Sequence, residues 1–279
     1  FRHVALAALA VALPALAADP LPPPSSEWRP LFNGKTLDGW DTWLGAPKGK
    51  SGLANAVGLN KDPDGVYTVV EADGKPAIRI SGQTFGAITT RDEFENYHLK
   101  FEFKWGEKKW PPREKDKRDS GLLYHCVGQH GAQGTYWMRS QELQVQEGDC
   151  GDFYPVAGGI ADMQGTRTDG KGPVRFAPGG TTYTIPSKAT GGRGVKSADG
   201  EKKSGEWNAV ELYAVGQTSV HVVNGKVNMV LTNSRHVVGG KEVPLTKGKL
   251  QFQSEGAEVF YRDIAVRPIE KIPAELLGQ

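Results

Sequence analysis

An excess of charge of one sign is missing from this sequence. Lys plus Arg number 34 against 32 Asp plus Glu, a formal net charge of +2. Nucleic acid and anionic membrane surfaces therefore find no broad basic field to hold them. Cysteine is scarce, with two residues, and two thiols alone cannot complete a metal site. Helical periodicity never persists beyond a turn or two, which excludes bundles and coiled coils. Long apolar runs are also missing, apart from one block between Val4 and Leu16. That block is too short to span a bilayer as a stable helix.

The apolar block follows Arg2 and His3 and ends in small residues at 15–18. It reads as a secretory signal peptide over 1–18, which points to a secreted, periplasmic protein. A Pro/Ser-rich tether over 19–27 follows, then one domain over 28–270 and a tail over 271–279. An oxidising compartment makes a Cys126–Cys150 disulfide one option, whose geometry sequence does not give.

Glycine (36) and proline (18) are plentiful, as turns between short strands require. Alternation is clearest in YHLKFEFKW, 97–105, with Leu99, Phe101 and Phe103 on one face. Asn224-Gly225, between two β-rich runs, is a hairpin signal. The fold class expected is an all-β antiparallel sandwich or barrel. The long Gly/Lys-rich stretches near 166–180 and 187–206 read as functional or mobile insertions.

SQELQVQEGDCGD, 140–152, crowds acidic and amide side chains together. Period 2 puts Glu142, Gln144 and Gln146 on one face and Leu143 and Val145 on the core face. Glu147 is out of phase, and a bulge of one residue would return it to the Glu142 face. The spacing then resembles the E-x-D-x-x-E strand of laminarinase- and lichenase-type glycoside hydrolases, with Gln144 in place of the middle Asp. On that resemblance the two Glu would serve retaining hydrolysis.

A wider resemblance covers almost the whole mature chain. WRPLFNGKTLDGW, RDSGLLYH, QELQVQEGDCGDFYPVAG, GEWNAVELYAVG, VNGKVN, GKLQFQSEG and VFYRDIAVRPI follow one another as do the landmarks of the 3-keto-disaccharide hydrolase domain family. The resemblance implies a concanavalin A-like jelly roll. It also implies cleavage of glycosides oxidised to a ketone at C3, by elimination or hydration at C1–C2. A C3 ketone acidifies the C2 proton, so such a site needs a base, a proton donor and a group that stabilises the enolate.

Glu142 matches the family's strand carboxylate and is the first catalytic candidate. His125, given the face of Glu142 by parity, is a second, as base or ligand, although many relatives carry Arg there. Glu147 is the second carboxylate. Gln144, Asp152, Gln253 and Tyr154 are substrate-binding candidates; Glu255 stands where many relatives have His. No cofactor is demanded; a divalent ion on His125 and Glu142 is an option. A carbohydrate is the expected partner, with no nucleic acid and no membrane insertion. Two rival readings stay open: a lectin-like carbohydrate-binding module, and a retaining β-glucanase.

Overall fold

The computed structural model describes residues 27–167, 172–188 and 190–278. The leader and nearly all of the tether expected from sequence lie outside the described residues. Two antiparallel sheets pack face to face as a jelly-roll sandwich. One, the site sheet, runs Gly58–Leu59, Trp40–Leu44, Gly86–Thr90, Lys247–Ser254, Asp119–Val127, Arg139–Gln146, Phe153–Val156. The other runs Tyr67–Ala72, Lys75–Ile80, Ala257–Pro268, Tyr97–Lys109, Asn208–Val215, Thr218–Val223, Lys226–Val238, then Gly159–Thr166.

The alternation read from sequence is what joins them. Leu99, Phe101 and Phe103 meet Leu122, Tyr124, Leu143, Val145 and Phe252 in one buried core. Burying such side chains stabilises the sandwich by about 1.5–3 kcal/mol each. Asn224 (φ 48°) and Gly225 (φ 77°) form the tight hairpin expected, since this turn needs positive φ at both central residues. Ala274–Leu277 is a short 3-10 helix whose Leu276 and Leu277 pack on Val220, Val222 and Ile272.

One irregularity controls the site. Arg139 pairs with Val127 but Gln141 with Tyr124, so Asp119–Val127 carries one extra residue. The strand on its other side shows the same shift, between Lys249–Cys126 and Gln251–Leu123. The extra residue reverses parity beyond it. His125 lies within it, with φ 54°. Cys126 accordingly joins Leu123, Met138 and Val156, while Cys150 lies in the main core. Both cysteines are free, buried thiols, not a disulfide.

Candidate active site

Glu142, Gln144 and Gln146 occupy the face of the site sheet turned away from the core, as parity requires. Register brings further side chains to that face. Glu142 pairs with Leu123 on one side and Tyr154 on the other, Gln144 with Gly121, and Gln146 with Asp119. Backbone bonds extend the ladder so that Asp152 stands beside Gln144: Gln144 N–H donates to Asp152 O and Gly151 N–H to Gln144 O. Gln251 pairs with Leu123 from the third strand, and Gln253 shares its face.

Gly121 is the floor. A Cβ there would sit 2.2 Å from Glu142 Oε1 and 2.5 Å from Gln253 Oε1. The glycine therefore lets the Glu142 carboxyl and the Gln253 amide lean over the same spot from opposite strands. Gly121→Ala is expected to push both side chains aside. The expected cost is about 1–3 kcal/mol of stability, with turnover falling further than stability does. Denaturation and steady-state kinetics on one preparation check it.

One same-face row along, about 6.6 Å at the strand rise, lies a second acidic group. Arg113 holds it together, donating to Asp119 Oδ2 at 2.6 Å and Glu255 Oε1 at 2.5 Å. Gln146 Nε2 donates to the same Asp119 oxygen at 2.6 Å. Arg113 comes from the charged loop after Lys109, which Trp110 pins by donating to Gly256 O and Ser81 O.

Of three buried carboxyls on this face, Asp119 and Glu255 share one guanidinium and Glu142 has none, and their protonation separates accordingly. Burial pushes Glu142 well above the usual carboxylate range, and Glu255 and Asp119 push it further. Burial and Asp119 raise Glu255, against the pull of Arg113. Asp119 is raised by burial to about 6, with Arg113 and Gln146 opposing. Gln144 Oε1, Gln253 Oε1 and Asp119 Oδ1 are buried acceptors without a hydrogen bond among the described residues. Buried acceptors in that state call for a donor, and sugar hydroxyls are donors.

At the far side, Asp152 is buried and raised to about 6 by burial. Its Oδ1 accepts from Lys196 N–H at 2.9 Å, and Arg193 lies 3.5 Å from Oδ2. Arg193 also donates to the Tyr154 hydroxyl at 3.0 Å. The insertion at 187–206 therefore supplies a cation to the rim.

Two expected residues are elsewhere. His125 does not stand with Glu142. The extra residue turns its ring to the core, beside Tyr97 (5.9 Å) and Tyr124 (5.2 Å), where burial depresses its pKa to about 4. His125 and Glu142, the metal pair considered from sequence, therefore stand on opposite faces of the site sheet. Among the described residues no three His, Cys, Asp or Glu side chains group as a metal site. Glu147 is also absent from the site. Its own strand is regular from Gln141 to Gln146, so no bulge restores it, and it pairs with Arg118 at 3.1 and 3.2 Å.

Glu142, Gln144, Gln253, Asp152 and Tyr154 do come together. Asp119, Glu255 and Arg193 join them without having been chosen from sequence, as does Arg113, which the sequence offered only as a cation that could rim the groove. Asp119 carried a usable signal, sharing parity with Gly121 in RDSGLL; the others are joined only by register and loop path. A cleft of about 750 Å³ on the other sheet, lined by Trp28, Phe32, Lys100 and Glu102 among others, holds none of these groups.

Residues 27–267 match the family described as the 3-keto-alpha-glucoside-1,2-lyase-like domain. The chain belongs to that family. It is accordingly a carbohydrate-active protein, a glycoside-acting enzyme with a sugar ligand. No curated protein matches it. Two crystal structures from Parabacteroides distasonis, each named "putative glycosyl hydrolase", are similar at 20% and 18% identity. Both have a TM-score of 0.49, cover 87% of this chain, and are themselves covered over 100% and 94% of their length. A carbohydrate binding module from Bacillus subtilis is similar at 8% identity and TM-score 0.41, over 72% of this chain and 91% of its own.

Proposed function

We propose that this protein acts, after export, on glycosides whose glucose ring is a ketone at C3, cleaving them by elimination across C1–C2. The observation that carries the reading is the separation of its carboxyls on one face. Glu142 has no cation beside it and burial raises it well above the usual carboxylate range, which suits a donor to the departing C1 oxygen. Asp119, at about 6, is mostly ionised at pH 7 and has a free Oδ1. It is the acceptor for the acidified C2 proton. The amides of Gln144 and Gln253 flank the spot and can turn an N–H toward the enolate oxygen. The C2 electron pair forms the C1–C2 double bond as the C1–O bond breaks, and the leaving oxygen takes the Glu142 proton.

Family membership supports the reading, as does a floor built from glycine where two polar side chains converge. The test is a 3-keto aryl glucoside deuterated at C2. Elimination gives a primary isotope effect on aglycone release and a conjugated enone product. Release with no isotope effect and no enone would mean direct displacement at C1 and overturn the assignment.

A further inference from the structure

Resting on that reading, we infer that Phe85, Tyr136 and Trp137 form the subsite for the leaving group, and that it takes a six-membered ring with a flat face. The three rings pack on one another, with centroids 5.3 Å apart for Phe85–Tyr136, 5.6 Å for Tyr136–Trp137 and 6.5 Å for Phe85–Trp137. All three remain partly exposed.

Their place follows from the contacts of Trp137. It packs against the cluster of Leu123, Cys126, Met138 and Val156. Leu123 is the direct cross-strand neighbour of Glu142. The next residue, Met138, donates its N–H to Gln251 Oε1, and Gln251 flanks Leu123 on its other side. The rings therefore begin at the cluster that holds Leu123, the cross-strand neighbour of Glu142.

They are also fixed in advance. The Trp137 indole donates to Gly86 O at 3.1 Å. Tyr136 lies so close over Gly45 that a Cβ there would be 2.3 Å from its ring. Gln133 N–H donates to Trp137 O, and Tyr136 N–H to Gln133 O, closing the loop. A ring that docks here meets surfaces with little freedom left to lose.

The other flank of Glu142 is polar. Arg193, Asp152, Lys117 and Asp149 pair there, and Arg113 with its carboxyls closes the end. The groove so has a charged part for the oxidised sugar and an aromatic part for what leaves. Pyranose C–H faces and aryl rings both stack on such side chains, so either fits the subsite.

Kinetics of Trp137→Ala on 3-keto glucosides with methyl, phenyl and glucosyl leaving groups test it. A rise of about tenfold in KM is expected for the phenyl and glucosyl substrates, with the methyl substrate unchanged and Trp137→Phe restoring most of the loss. Loss on only one of the two ring-bearing substrates would identify the ring type. Equal loss on all three, or no loss on any, would overturn the subsite. If wild type turns over none of them, the chemistry proposed above has failed but the subsite is still read by titration. Unoxidised phenyl glucoside should then bind about tenfold tighter than methyl glucoside, and Trp137→Ala should abolish the difference. Equal binding of the two would overturn it.

Discussion

Replacing Glu142 by Gln is expected to lower kcat by about 10²–10⁴-fold, the usual contribution of a positioned proton donor, while leaving the fold intact. The substitution keeps shape, and it mimics the protonated form that burial and two neighbouring carboxyls favour in the native side chain. Affinity for a ring-bearing glycoside should change little. Stability moves in the opposite sense to activity. Above the ordinary Glu value of 4.5 the unfolded chain gives up this proton while the folded chain keeps it. Stability therefore falls as pH rises through that window, by about tenfold in the folding equilibrium per pH unit. Gln does not titrate, so the variant gains on wild type as pH rises. Urea denaturation at pH about 4, 6 and 8 should show no advantage at the lowest pH and a growing one above it. A constant difference would mean that Glu142 ionises normally in the folded protein.

Arg113→Gln should be the most destabilising single change at the site, by about 3 kcal/mol at neutral pH. Removing one partner of a buried pair leaves the other charge uncompensated, and here two are left, Asp119 and Glu255. The Arg113 side chain is 21% exposed, which puts the cost at the lower end for buried pairs. Both carboxyls rise further without the cation, so the loss grows with pH. It disappears in acid, where Asp119 and Glu255 are protonated in folded and unfolded chains alike. Lys should rescue little, because one ammonium cannot reproduce the forked contact to two carboxyls. Thermal denaturation across pH checks both statements; a pH-independent loss would make Arg113 a packing residue only.

The fold was legible because it rests on period-2 patterns. Leu99, Phe101 and Phe103 alternate without interruption and land in the core, and Asn224-Gly225 turns where expected. The same parity placed Glu142 beside Gln144 correctly, since their strand is regular. Parity failed where it was carried across an irregularity. The extra residue near His125 belongs to the neighbouring strand, and nothing in LLYHCV announces it. The bulge expected at Glu147 was placed in the wrong strand for the same reason. Arg193, and the pairing of Arg113 with Asp119 and Glu255, were out of reach for another reason. These residues approach from positions far apart in the chain, and pairing register, not local pattern, decides that they meet.

The measurement that tests the central claim most directly is aglycone release by the purified protein from matched glucosides, one carrying a C3 ketone and one unoxidised. Release from the ketone alone, lost in Glu142→Gln, is the result expected here. Release from the unoxidised glucoside would contradict it and make the acidic strand that of an ordinary retaining glycosidase. Binding of both without release would contradict it equally and leave a lectin-like surface.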